Sequence, residues 1–241
     1  MVKLLRAETK KLKGSSILWI GIGSCFVLPI MALGINLSNT GDFTWVEYAS
    51  QNLWPQIILL WPCIFGVFGS YIFTRERLEN TYKNLLVIPV GRVRLSLAKL
   101  GILFIAILGM SLLTYLLNIS GILVGVPISP ADFVEGLWIY TKSGLLMFLC
   151  ILPIVWVAML SRKGFLLSIC IAVIYSIGSF LASWVPLLAA LIPIDVAWRI
   201  IGLKQFDMQY AFPPVVSYVS LGICSIVSLI GIIVTSIRQD A

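Results

Sequence analysis

Residues 74–94 read TRERLENTYKNLLVIPVGRVR. Seven charges crowd this stretch: Arg75, Glu76, Arg77, Glu79, Lys83, Arg92 and Arg94. On either side the chain turns almost wholly apolar, over 53–73 and again over 96–125. Each flank exceeds the roughly 20 apolar residues that carry a helix across a bilayer. The charged stretch therefore reads as a loop on one face of a membrane, joining two spans.

The same reading extends to the whole chain. Of 241 residues, 60% are hydrophobic and 11% charged, against the roughly 25% charge of soluble domains. The mean hydropathy is +1.04. Six segments are long and apolar enough to span: 16–35, 53–73, 96–125, 138–160, 165–185 and 213–237. Backbone polar groups in lipid must be satisfied within the segment, so the expectation is an all-α integral membrane protein with six transmembrane helices. These segments lack the period-two alternation of barrel strands. The basic then apolar order at the N-terminus resembles a signal peptide, but the apolar run continues to about Ile35 without a small-residue cleavage site, so the first segment is expected to remain.

Lysine and arginine orient the spans. The N-terminal tail carries Lys3, Arg6, Lys10, Lys11 and Lys13. The loop after the second span carries Arg75, Arg77, Lys83, Arg92, Arg94 and Lys99. Arg162, Lys163 and Arg238 fall on the same side, while Lys142, Arg199 and Lys204 fall on the other. Both termini are thus expected in the cytoplasm. The acids Asp42, Glu47, Asp132, Glu135, Asp195 and Asp207 fall outside. Residues 1–15, with Val2, Leu5 and Leu12 near one face and cations around them, fit a helix on the inner leaflet. The outer loop 186–212 is apolar enough for a short interfacial or re-entrant helix. Trp45, Tyr48, Trp54, Trp138, Tyr140, Trp184 and Trp198 are expected to form an interfacial belt, and Lys142 to snorkel toward headgroups.

Within 74–88, Leu78, Tyr82 and Leu85 share one helical face, and Glu76, Glu79 and Lys83 another. Pro89 ends the helix and Gly91 turns the chain. Orientation needs only cations, so Glu76 and Glu79 call for another reason. A helix with one apolar and one charged face fits the groove of a cytosolic partner.

From Phe73 to Lys99 the chain resembles the ABC-2 class of ABC-transporter permeases. Their loop reads R-E-x-x-x-G-T-x-K-x-L-L-x-x-P-x-S-R, followed by a lysine at the next span. Arg75, Glu76, Glu79, Thr81, Lys83, Leu85, Leu86, Pro89, Arg92 and Lys99 fit it. Asn80 stands where the family has glycine and Gly91 where it often has serine. The asparagine variant is similar to the lantibiotic-immunity and bacitracin-resistance subgroup. The resemblance implies one permease domain over 1–241, with 74–94 as a coupling-helix loop. It implies that Arg75, Glu76, Arg77, Glu79, Asn80, Thr81 and Lys83 meet an ABC nucleotide-binding subunit, present in two copies. A second permease, identical or related, completes the transporter. ATP and Mg belong to the partner, and the cargo is a peptide antibiotic expelled across the bacterial cell membrane. An immunity or sensor protein that binds peptide without transport, and an exporter of another lipid-like substrate, remain as alternatives.

The chain itself carries no G-x-x-x-x-G-K-[ST] phosphate loop, no histidine and no zinc-ligand spacing. No cofactor or metal and no catalytic residue is expected on it. The drawn spans contain no carboxylates, unlike proton-driven carriers or membrane-integral acid–base enzymes. The charge pattern suits lipid rather than nucleic acid. Lys3, Arg6, Lys10, Lys11 and Lys13 are the candidate lipid anchors. Ser111, Asn118 and Ser120 give the third span a polar side that could line a path, though helix packing explains them and Pro62, Gly66, Gly69, Gly121, Gly125 and Pro153 equally. The five cysteines all fall in apolar segments and read as small hydrophobes.

Overall fold

The computed structural model describes residues 2–37, 44–78, 91–160, 165–203 and 209–238. All regular structure among them is helical. Helix α1 (Val2–Lys13) precedes α2 (Ser16–Leu37). Helix α3 (Trp45–Pro55) runs through a π turn (Gln56–Leu60) into α4 (Trp61–Leu78). Helix α5 (Arg92–Asn118) ends in a 3₁₀ segment (Ile119–Val124), which closes at Gly125 with φ +85°. Then come α6 (Pro130–Leu160), α7 (Phe165–Ala182), the short α8 (Pro186–Ala189), α9 (Pro193–Ile201) and α10 (Pro214–Arg238).

Five stretches are long and apolar enough to cross a membrane: Ser16–Ile35, Trp45–Glu76, Arg92–Leu123, Pro130–Leu160 and Pro214–Arg238. Helix α7 is apolar but shorter.

Two spans begin earlier than hydropathy suggests, for the same reason. Thr44 and Glu47 form a capping box: Thr44 Oγ1 accepts from the Glu47 N–H, and the Thr44 N–H donates to Glu47 Oε2 at 3.0 Å. The helix therefore starts at Trp45 rather than near 53. Ser129 and Asp132 exchange the equivalent bonds at 2.8 and 3.2 Å, and Pro130 opens α6 eight positions before 138. Pro55 lacks an N–H for the helical ladder, and the π turn follows it at once, with the Trp61 N–H donating to Gln56 O. Pro153 sits inside a continuous α6.

Helix α6 is the hub, packing against α3, α4, α5, α7, α9 and α10. The core holds Trp61, Phe65, Phe68, Tyr115, Tyr140 and Met147, all essentially inaccessible. Small residues set the approach of α4. A Cβ on Gly66 would lie 2.9 Å from Ile154 and 3.0 Å from Ala172, and one on Gly69 would lie 2.8 Å from Val155. The outer faces are greasy, with Trp19, Ile20, Ile105, Ile174, Ile223 and Ile226 more than half exposed. Water does not tolerate so broad an apolar surface; lipid does.

The expected aromatic belt divides. Trp138 and Trp184 are exposed at 64% and 68%, as a belt requires. Trp45, Tyr48, Tyr140 and Trp198 are buried to 2% or less, because α3, α6 and α9 turn them into the bundle. Lys142 does not snorkel either: its Nζ donates to Ile200 O, a carbonyl in the last turn of α9. The five cysteines are unpaired.

The segment after α7 folds back beside α6. The Ala211 N–H donates to Pro186 O at 3.1 Å, near the start of α10. Ser217 and Ser220, further along α10, donate to Ala190 O and Leu191 O. The Cys150 thiol, midway along the apolar part of α6, donates to Pro193 O at 3.1 Å. Helix α9 then climbs antiparallel to α6, from Cys150 to Lys142. Helix α9 is thus packed into the bundle, while α8 stays largely exposed, with Leu187 at 50% and Leu188 at 41%.

Candidate functional site

Helix α4 runs without a break through the apolar stretch into Thr74, Arg75 and Glu76. Thr74 Oγ1 turns back to Ser70 O at 2.8 Å, the usual way a hydroxyl is satisfied within a helix. Glu76 is the centre of a junction at this end of the bundle. It is 7% exposed, and Lys99, in the third turn of α5, is 4% exposed. Lys99 Nζ donates to Glu76 Oε2 at 2.6 Å. Lys11 Nζ, from α1, reaches Glu76 Oε1 at 3.3 Å and also pairs with Glu8. One carboxylate therefore ties three helices together.

Neighbouring contacts reinforce the junction. Arg75 Nη1 donates to Lys11 O at 2.6 Å, satisfying a carbonyl in the last turn of α1. Its guanidinium lies 5.8 Å from the Tyr71 ring centre, and Lys99 Nζ lies 5.7 Å from that of Phe73. Leu5 of α1 rests against Gly101 of α5, and Leu12 is buried. Ser96 and Ser236 share a hydrogen bond at 2.7 Å, bringing the end of α10 to the same end of the bundle. Burial disfavours the Lys11 ammonium, but its bonds and charge contacts with Glu8 and Glu76 outweigh that and raise its pKa.

Of the residues singled out from sequence, Arg75 and Glu76 lie in this junction and point into the protein rather than to a free docking face. The side chain of Arg77, and residues Glu79, Asn80, Thr81 and Lys83, lie outside the described residues. Among the candidate lipid anchors, Arg6 and Lys10 are exposed and Lys11 is in the ion-pair cluster; the side chains of Lys3 and Lys13 are outside the described ones. Ser111 and Asn118 are fully buried and bonded within the bundle, to Tyr140 O and to the Asn52 amide at 2.8 Å. Ser120 donates to Leu117 O. The Glu76–Lys99 pair is open to sequence reasoning. A lysine seven residues into a span-starting helix needs a buried anion, and Glu76 closes the preceding span. Asn52, Gln56 and Asp195 give no such signal. Among the described residues no group of three His, Cys, Asp or Glu fits a metal ion.

A bundle of helices long and apolar enough to cross a membrane, its charged end tied by ion pairs, is the form of a multi-pass membrane protein. The profile of the ABC-2 family transporter proteins matches residues 4–179. The chain is also 32% identical, over 189 residues, to the bacitracin transport permease protein BCRB of Bacillus licheniformis. That alignment covers 78% of this chain and 88% of that protein. The chain belongs to the ABC-2 family of transporter proteins. It is a multi-pass bacterial membrane protein with a transport role, and family membership implies an ABC ATPase subunit as partner.

Proposed function

We propose that this chain is the membrane subunit of an ATP-driven exporter that expels a hydrophobic peptide antibiotic, bacitracin-like in chemistry. The observation that carries the reading is its likeness to a bacitracin transport permease along most of both chains. The junction at Glu76 supports the mechanical part. It lies at the head of the charged stretch 74–94 and binds α1, α4 and α5 into one unit.

Helix α7 serves as a sixth span. Its 18 residues rise about 27 Å at 1.5 Å each, close to the ~30 Å hydrocarbon core. Six crossings put both termini in the cytoplasm with the basic tail, loop 74–94, Arg162, Lys163 and Arg238. Helix α1 lies on the inner leaflet with the exposed Arg6 and Lys10 toward anionic lipid. Residues 1–241 act as one permease domain. Two copies, or one copy and a related permease, join two ATPase subunits, which hold ATP and Mg. Closure of the ATPase pair pushes the loop through Arg77, Glu79, Asn80, Thr81 and Lys83. Arg75 and Glu76 pass the push to α1 and α5.

The test is ATP-dependent movement of bacitracin in proteoliposomes holding this chain and its co-expressed ATPase. Expected is outward transport that Glu79→Ala/Lys83→Ala abolishes along with recovery of the complex. Nucleotide-independent peptide distribution, with the ATPase bound, would sink the exporter reading in favour of a peptide-binding immunity protein.

A further inference from the structure

Helix α9 packs against α6, α10 and the π turn. Asp195, in its first turn, is fully buried, and neither carboxylate oxygen has a hydrogen-bond partner among the described residues. The obvious counter-ion is turned away. Arg199, one helical turn on, donates to Phe212 O and Ser217 Oγ at 2.9 Å each, and its guanidinium sits 4.2 Å over the Tyr210 ring. Lys142 of α6 is bonded at the far end of α9, to Ile200 O. Among the described residues, the other titratable groups that feel the Asp195 charge are a thiol and two phenols: Cys150 of α6, Tyr175 of α7, and Tyr210. Gln56 of the π turn is itself fully buried with its amide unpartnered.

A carboxylate in such a place is expensive and a neutral carboxylic acid is not. Burial pushes the Asp195 carboxyl up to about 8. The surroundings therefore fit an O–H group held between helices, on an element packed into the bundle.

We propose that Asp195 is a proton-binding site that latches α9 against α6, α10 and the π turn. When α9 moves outward, water reaches the carboxyl, its O–H bond breaks, and the proton passes to solvent. Return of α9 takes the proton back. A hydrated aspartate titrates near 3.9. Below about pH 4 both forms are protonated and the latch has its full strength. Between there and about 8 only the open form ionises, so the closed-to-open ratio falls about tenfold per pH unit. Above that both are ionised and the ratio levels off. This inference stands apart from the exporter reading and involves neither ATPase nor peptide.

The test uses the full chain in lipid nanodiscs, wild type and Asp195→Asn. Infrared pH-difference spectra should contain a protonated-carboxyl C=O stretch that titrates near pH 8 and is missing from the variant. Amide hydrogen exchange over residues 193–201, corrected for the intrinsic pH dependence, should lose protection about tenfold per pH unit between pH 6 and 8 in the wild type. It should stay flat in Asp195→Asn and in Asp195→Leu, a second neutral variant of similar bulk. Absence of the band above pH 6 overturns the proposal. So do equal exchange slopes in wild type and variants, which would leave a buried acid that latches nothing.

Discussion

Replacing Glu76 by glutamine should be among the most damaging single changes in this bundle. The side chain keeps its shape and loses its charge, leaving the Lys99 ammonium, 4% exposed, without the carboxylate 2.6 Å away. Breaking a buried pair in this manner costs roughly 3–5 kcal/mol. The Lys11 contact is weaker: at 3.3 Å with Lys11's side chain 39% exposed, it is worth at most ~1 kcal/mol. Lys11→Gln should therefore be mild. Glu76→Gln/Lys99→Met removes both charges and should cost less than the sum of its singles by roughly 2–3 kcal/mol. The assay is reversible unfolding in mixed micelles of denaturing and mild detergent, followed by helical circular dichroism. A Glu76→Gln loss near 1 kcal/mol, the size of a surface pair, or additivity in the cycle, would refute the buried junction.

Gly231→Ala would put a Cβ 2.1 Å from the Trp156 indole, forcing α6 and α10 apart at a cost of about 1–3 kcal/mol. Its melting temperature should drop, and Trp156→Leu in the same chain should recover part of the loss. Asn52→Leu strips the Asn118 amide of its 2.8 Å partner and should cost about 0.6–1.7 kcal/mol in the same unfolding assay. Trp198→Ala, at 2% exposure, should cost roughly 3–5 kcal/mol, while Trp138→Ala, at 64% exposure, should stay within ~1 kcal/mol; equal losses would mean that α9 is not packed as described.

Hydropathy makes the membrane class and the cores of the spans legible, because lipid requires long apolar helices whatever their partners. It does not set their ends. Thr44–Glu47 and Ser129–Asp132 are local bonds between polar residues, which an apolar window passes over although the capping pattern stands in the sequence. Aromatics are harder. Trp138 and Trp198 have the same chemistry, and only the return of α9 beside α6 makes one a lipid contact and the other core. Asp195 reads as an outer-surface residue because it lies between two spans. Nothing local says that its helix sinks back to the level of Cys150. Glu76 is the reverse case: its place in a charged loop suggests a docking face, while the continuation of α4 through Leu78 carries it inward to Lys99.

That inward turn separates two jobs that a single charged stretch could have merged. A residue that touches a moving partner must stay accessible, and one that transmits motion must be fixed to what it moves. Glu76 is fixed at 2.6 Å to α5 and at 3.3 Å to α1. On the exporter reading proposed above, a push on the loop would displace α1, α4 and α5 as one body instead of bending the end of α4. The neutral pair Glu76→Gln/Lys99→Met tests this when movement is counted per folded, ATPase-bound complex, because it removes the tie without leaving an unpaired charge in the junction. With the ATPase bound, ATP hydrolysis should persist while bacitracin movement per ATP falls severalfold. If movement per ATP is unchanged, the ion pair holds the helices together without carrying the stroke, and transmission runs through the apolar contacts of α4 with α6 and α7.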